Sequence, residues 1–196
     1  MQIAQKLYEG IEINGEPIGL ITYMRTDSVR VSDDAIIMAK DYITANYGEK
    51  YYPDVPNNYV KAGKKNVQDA HEAIRPSYID KTPDSIKRYL TSEQYRLYKL
   101  IWEKFVSSQM APAKIQNTTV EINADDYTFK IGSSKILFDG FLKLYNDDEE
   151  EDVEKLTKMP ELKKGDVLDL KKLNSQQHFT QPPAHFTEAS MVKALE

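Results

Sequence analysis

Cysteine is missing from this chain altogether, and histidine occurs only three times. That excludes a disulfide framework, a thiolate metal site and a cysteine nucleophile. A reducing, cytoplasmic compartment is compatible with the absence. Long apolar runs are lacking too: none approaches the ~20 residues of a membrane-spanning helix. The opening "MQIAQKLYEG" has no basic stretch leading into an apolar core, so it shows no signal-peptide pattern. There is no glycine-rich phosphate loop and no serine–histidine triad pattern. With 40% hydrophobic and 29% charged residues over 196 positions, an ordinary soluble protein of one large or two small domains is expected.

A net charge of −5 argues at first against a nucleic-acid partner. The charge is lumpy, however. Seven acids in "DDEEEDVE", residues 147 to 154, turn a balance of +2 into −5. Such a block reads as a solvated loop, and it lacks the glycine and spacing of a calcium loop. Composition therefore neither points to DNA nor excludes it.

Along the chain, "IAQKLYEG" predicts a short helix with Ile3 and Leu7 on one face and Gly10 as its stop. Asn14-Gly15 predicts a hairpin or loop leading into a strand, "GLITYMRTDS". Ser32 is the expected cap of a helix with Asp33 and Asp34 in its first turn. Ile36, Ala39, Ile43 and Tyr47 mark its periodicity, and Gly48 its end. Residues 49 to 67 read as loop, "QDAHEAIRP" as a helical turn or two closed by Pro76, and Thr82-Pro83 as a further helix start. "TSEQ", Thr91 to Gln94, is a capping box. The helix it opens carries Tyr95, Tyr98, Trp102, Phe105 and Gln109 on one side, with Pro112 at its end.

Beyond that helix the period shifts to two. Val120 and Ile122, then Tyr127, Phe129 and Ile131, then Ile136 and Phe138 predict strands, with turns at "ADD", "GSS" and "DG". "GDVLDLKKL" predicts another strand. The fold class expected is therefore α+β, helix-rich to about residue 110 and antiparallel β over about 115 to 174. A last helix, capped by Thr187 and bearing Met191, Val192 and Leu195, runs to Glu196 without a stop signal. The chain reads as a piece of something longer.

Two short motifs carry candidate chemistry. In a strand, Tyr23 and Arg25 share one face, with Thr22 and Met24 on the other. A phenol titrates near pH 10, so only ~0.1% is anionic at neutral pH. A neighbouring guanidinium favours the anion and grips phosphate in a bidentate way. Nucleophilic attack on a phosphodiester needs that pair: an oxygen able to form an ester, and a fixed cation for the developing charge. An ordinary cross-strand tyrosine beside a surface arginine fits the same pattern. In "DAHEAIRP", His71-Glu72 begins like a zinc-protease helix, but Arg75 stands where a second histidine is required. On a helix His71 and Arg75 lie four apart and could face one anion together. A surface histidine with a Glu72–Arg75 contact fits equally. No Asp-x-Asp metal pair lies near either motif, and no metal ligand is assigned.

"GLITYMRTDS", "QDAHEAIRPS" some 40 residues on, and "HFTQPPAHFTEASMVKALE" together resemble the type IA DNA topoisomerases, in their bacterial topoisomerase I branch. Met24 favours that branch over the topoisomerase III branch, which carries proline there. "PAKIQNTTVEI", Pro112 to Ile122, resembles the family as well, so the likeness covers essentially the whole chain.

The resemblance implies a fragment of a toroidal, multi-domain enzyme. Residues 1–110 resemble the helix-rich, winged-helix-like (CAP-like) domain that carries the active-site tyrosine. Residues 111–175 resemble a β-rich segment of the arch that lets the gate open, and 176–196 the truncated start of the following DNA-binding domain. The implied activity is ATP-independent relaxation of negatively supercoiled DNA. Tyr23 would attack a single-strand phosphate, forming a 5′-phosphotyrosyl bond, and the freed 3′-hydroxyl would later reverse the step. Arg25 would stabilise the phosphate. His71 would touch the same or a neighbouring one, with Asp27 a candidate to orient its ring. Thr26, Asp27, Ser28 and Arg75 are expected DNA contacts, Glu72 and Arg75 also structural supports, and Thr187, Ser190 and Lys193 single-strand contacts. His185 stands where the family usually has arginine, which weakens that phosphate contact. The family's Mg²⁺ is expected in a TOPRIM domain ahead of this segment, with none held here, so the fragment alone should not relax DNA. A cytoplasmic, nucleoid-associated monomer whose partner is the single-stranded segment of supercoiled DNA completes the expectation.

Overall fold

The computed structural model describes residues 1–59, 71–145, 160 and 162–195. The acidic run, residues 60–67 of the expected loop and Gln68–Ala70 of the second motif lie outside the described residues. The chain forms two units, Met1–Met159 and Pro160–Glu196.

In the first unit, helix α1 (Gln2–Glu9) buries Leu7 and stops at Gly10, whose φ of 137° few other residues adopt. Strands β1 (Ile11–Ile13) and β2 (Glu16–Ile18) pair antiparallel across Asn14-Gly15. Both turn residues have positive φ, 55° and 88°, as a two-residue primed turn requires. Helix α2 (Asp33–Tyr47) buries Ala35, Ala39 and Ile43. A 3₁₀ turn, Glu49–Tyr51, follows it. Helix α3 (Pro83–Ile86) starts on Thr82, whose hydroxyl accepts from the Ser85 N–H, and a 3₁₀ turn, Lys87–Tyr89, continues it.

Helix α4 (Ser92–Gln109) begins with both bonds of the predicted capping box. Its buried face includes Tyr98, Trp102, Phe105, Val106 and Gln109. The polar tips of its core aromatics are satisfied: the Trp102 indole donates to the Ile79 carbonyl at 3.0 Å and the Tyr98 hydroxyl to that of Lys81 at 2.7 Å. Burial, with Asp80 nearby, pushes the Tyr98 hydroxyl well above the usual phenol range. Leu7, Leu20, Ile21, Met24, Ala39 and Ile43 join this face in one core.

Strands β3 (Lys114–Ala124) and β4 (Tyr127–Phe138) form one long antiparallel hairpin, turning at Asp125-Asp126 with Asp125 at φ 50°. The turn predicted at "GSS" is absent: Gly132 to Ser134 lie inside β4, paired with Thr119 to Asn117. Tyr127, Phe129 and Ile131 thus lie in one strand with Ile136 and Phe138, and the register runs unbroken past the glycine and the serines. A 3₁₀ turn (Gly140–Lys143) follows, where Gly140 at φ 50° passes so close to residues 111–113 that a Cβ would lie 2.5 Å from the Ala111 carbonyl oxygen.

Three further expectations need correction. "GLITYMRTDS" is no regular strand; it makes a single bridge, Ile21 to Pro76. The described part of "QDAHEAIRP" is not helical. Its backbone bonds go sideways, Ala73 N–H to the Arg30 carbonyl and the Thr22 N–H to that of Arg75, and Pro76 biases Arg75 toward extended geometry. His71 and Arg75 therefore do not share a helix face. "GDVLDLKKL" forms no strand in the second unit, where exposed Val167, Leu168 and Leu170 find no pairing segment among the described residues. In that unit α5 (Glu188–Leu195) starts on Thr187, whose hydroxyl accepts from the Ser190 N–H while the Ser190 hydroxyl accepts from the Thr187 N–H. Across both units, five helices and two antiparallel hairpins among the described residues make a mixed α+β architecture.

Candidate active site around Tyr23

The segment that follows β2 is laid against α1 by a main-chain contact and a missing side chain. The Leu20 N–H donates to the Leu7 carbonyl at 2.7 Å, and a Cβ on Gly19 would stand 2.7 Å from the Tyr8 carbonyl oxygen. On its other flank, Thr22 ties the segment to residues 73–75. Its hydroxyl donates to the Ala73 carbonyl at 2.8 Å and accepts from the Arg75 N–H at 3.0 Å. Ser77 N–H donates to the Leu20 carbonyl at 2.9 Å. These bonds take the place of a sheet.

Held this way, Ile21 and Met24 point into the core, while Tyr23, 37% exposed, and Arg25 face solvent. The outward tyrosine and arginine alternate with an inward methionine, although the backbone bends at Met24 and Arg25. The Tyr23 ring lies between two others. The Tyr8 ring centroid is 5.5 Å away at 67°, and that of His71 is 5.5 Å away at 43°. Among the described residues the exposed Arg25 has neither a carboxylate nor a hydrogen-bond partner.

Beyond Arg25 the chain forms small polar turns. The Ser28 N–H donates to the Thr26 hydroxyl at 3.0 Å and the Arg30 N–H to that of Ser28 at 3.2 Å. Asp27 is exposed, and no hydrogen bond or ion pair joins it to His71 among the described residues; the His71 ring lies against that of Tyr23. Arg75 is differently committed. Its Nε donates to Glu72 at 2.7 Å, its Nη1 to the Pro76 carbonyl at 3.0 Å and its Nη2 to the Ser32 hydroxyl at 3.4 Å. It clamps residues 72–76 to the start of α2. Thr187, Ser190 and Lys193 belong to the second unit, where the first two serve as the cap of α5 and Lys193 is exposed, as is His185.

Tyr8, Gly19 and the Thr22 hydroxyl were not singled out as site residues by sequence. A glycine immediately before an apolar run signals close backbone approach, and that signal was available at Gly19. No group of three or more histidine or carboxylate side chains among the described residues could hold a metal ion. No described helix is long and apolar enough to cross a membrane.

A protein-family model described as DNA topoisomerase matches residues 1–196. Among solved structures, the full-length topoisomerase I of Thermotoga maritima is similar at 41% identity with a TM-score of 0.64. The match covers 76% of this chain and 23% of the Thermotoga chain, so this chain spans only about a quarter of that relative's length. On the match over all its residues, the chain belongs to the type IA DNA topoisomerase family.

Proposed function

We propose that Tyr23 is the nucleophile of a type IA topoisomerase, and that this chain supplies the strand-breaking side chain of a longer enzyme. The observation that carries the reading is the exposed Tyr23 ring, set beside His71 and followed by an outward Arg25 that has no partner among the described residues.

The chemistry balances without an external energy source. The Tyr23 oxygen forms a bond to the phosphorus of a single strand, and the bond from phosphorus to the 3′ oxygen breaks. The phenol gives up its proton and the departing 3′ oxygen gains one. One phosphate ester replaces another, so the 3′-hydroxyl reverses the step without ATP once the other strand has passed and negative supercoils have relaxed. Arg25 opposes the charge that grows on the phosphate as the new bond forms. His71, ring against ring with Tyr23, is placed to donate to the same or a neighbouring phosphate. Thr26, Asp27 and Ser28 line the way past Arg25. Arg75, its guanidinium taken up by Glu72, Ser32 and Pro76, acts on DNA through the geometry it maintains. In the second unit Thr187, Ser190 and Lys193 offer single-strand contacts, and His185 a weaker one than arginine would.

The family's Mg²⁺ would supply charge neutralisation on the DNA phosphates; no cluster among the described residues would hold it, and this reading assigns its ligands to a TOPRIM domain outside this chain. The winged-helix-like character of residues 1–110 and the arch role of the long hairpin belong to the same reading, as does a cytoplasmic, nucleoid-associated monomer. On this reading the chain alone does not relax DNA.

The test uses the complete protein that contains this chain, Mg²⁺ and a single-stranded oligonucleotide, quenched with denaturant. A covalent protein–DNA adduct is expected for the wild type and none for Tyr23→Phe. Equal trapping by both proteins would make the chain a DNA-binding module with its nucleophile elsewhere.

A further inference from the structure

Tyr8 has no role in the reading above, yet it flanks Tyr23 as closely as His71 does. Its ring meets that of Tyr23 edge-on, at 5.5 Å and 67°, the separation and tilt at which aromatic quadrupoles attract. The contact is not an isolated touch. Tyr8 lies in the last turn of α1, where the Leu7 carbonyl accepts from the Leu20 N–H at 2.7 Å. The next carbonyl, that of Tyr8, passes so near Gly19 that a Cβ there would lie 2.7 Å from its oxygen. Main chain and ring of one helix turn thus register onto the segment that carries Tyr23. The Tyr8 hydroxyl itself has no hydrogen-bond partner among the described residues. Its contribution lies in the ring.

A phenol that attacks phosphorus must present its oxygen along the line of the breaking bond, and an exposed tyrosine has two free side-chain torsions. With 37% of its surface open, Tyr23 is not fixed by the core. Two rings, one from α1 and one from the segment of residues 71–76, supply the restriction that burial does not. We propose that Tyr8 is a positioning residue for Tyr23: its ring edge holds the phenol in the orientation that directs the oxygen outward, without touching DNA. This rests on the reading of Tyr23 as nucleophile.

Single-turnover cleavage of an oligonucleotide by the complete protein with Mg²⁺ separates positioning from binding. At saturating DNA, Tyr8→Leu should lower the cleavage rate constant ~10-fold while the dissociation constant changes less than about twofold, because a misoriented nucleophile costs rate and not affinity. Tyr8→Phe, which keeps the ring and drops the hydroxyl, should restore most of the rate. Tyr8 is 40% exposed, and Tyr8→Gln, suited to an exposed helix position, gives the same comparison should the leucine variant misfold. The Tyr23 ring resonances of this chain should shift in Tyr8→Leu and stay near their places in Tyr8→Phe. An unchanged rate in Tyr8→Leu and Tyr8→Gln overturns the proposal. So does a loss seen only as weaker DNA binding, which makes Tyr8 a base-stacking contact, and so does a Phe variant as slow as Leu. Adduct formation by Tyr23→Phe would instead refute the nucleophile reading itself, so the two failures are distinguishable.

Discussion

Thr22 and Arg75, 53 positions apart in sequence, are joined in both directions: the Thr22 N–H donates to the Arg75 carbonyl at 3.0 Å, and the Arg75 N–H donates to the Thr22 hydroxyl at 3.0 Å. The same hydroxyl donates to the Ala73 carbonyl at 2.8 Å. The Thr22 side chain thus adds two bonds to the main-chain contacts that hold residues 73–77 against the segment bearing Tyr23. Thr22→Val keeps the shape and removes the hydroxyl, leaving a part-buried N–H and carbonyl without it. The expected loss is ~1–2 kcal/mol of unfolding free energy, read by urea titration of this chain. Cleavage by the complete protein should fall further than the stability loss explains, because His71 is released from Tyr23. A valine variant with normal cleavage would show that the main-chain bonds hold the two segments without the hydroxyl.

Gly19→Ala tests the close approach on the other flank. The backbone there has no unusual φ, so conformational strain is not the issue; space is. The added carbon would stand 2.7 Å from the Tyr8 carbonyl oxygen, a main-chain atom that cannot swing aside. Relief requires α1 to withdraw, lengthening the Leu20–Leu7 hydrogen bond and drawing Tyr8 off Tyr23. Overpacking of this kind costs ~1–3 kcal/mol, measurable as a lowered thermal midpoint. An alanine variant as stable as the wild type would mean that α1 yields freely.

Local chemistry was readable from residue types alone where the backbone interaction is between near neighbours. Thr91 and Gln94 are three apart and make both capping-box bonds, Asn14-Gly15 makes its turn, and Thr82-Pro83 starts α3. At 71–76 the periodicity pointed to a helix because His71, Glu72 and Arg75 have helical spacing. The backbone partners of Ala73 and Arg75, which are Arg30 and Thr22, are more than 40 positions away and invisible to any local window. Tyr23 and Arg25 face outward as strand alternation suggests, but Met24 is turned inward by the core and not by a sheet. Tyr8 could not be found from spacing, since its partner lies across a hairpin and its own helix turn looks unremarkable beside Leu7. The outward placement of Tyr23 and Arg25 was legible in the sequence, and the bonds that support their segment were not.

Arg25 and Arg75 should respond oppositely to truncation. Arg25 is exposed and unpaired among the described residues, so Arg25→Ala should leave stability within ~0.5 kcal/mol. On the proposed reading its loss removes a cation from the developing phosphate charge, and cleavage should drop ~10²-fold or more at saturating DNA. Arg75 holds Glu72, Pro76 and Ser32 with its side chain only 12% exposed. Arg75→Ala should cost ~1–3 kcal/mol of stability by leaving Glu72 and the Pro76 carbonyl without their donor. Paired unfolding and cleavage measurements decide the matter. An Arg25→Ala protein that cleaves normally would remove Arg25 from the site.

Where the long hairpin meets the helices, Tyr51 donates to Asp139 at 2.8 Å and the Tyr51 and Phe138 rings lie 5.0 Å apart. Burial alone would raise the Asp139 carboxyl. The Tyr51 hydroxyl, backbone N–H groups of Asp139 and Gly140, and Lys143 outweigh it and hold the carboxyl below its ordinary 3.8. The Tyr51 hydroxyl is raised above its ordinary 10.0 by the hydrogen bond to Asp139, by burial and by the Asp139 charge. A carboxyl depressed on folding stabilises the native state above its unfolded value and loses that contribution as pH falls through the folded one. A phenol raised on folding does the opposite: its contribution is present below about pH 10 and lost as pH rises through the higher folded value. The clip therefore operates between about pH 4 and pH 10. Subtracting the stability of Tyr51→Phe from that of the wild type should give a plateau across this window that shrinks at both ends. Urea titrations of this chain at about pH 3, 5, 7 and 9 measure the acid limb and the plateau. A difference that stays constant down to pH 3 would show that the ionised carboxyl contributes nothing, and that the root of the hairpin is held by Phe138 packing and by the Ala111 N–H, which donates to the Tyr51 carbonyl at 2.7 Å.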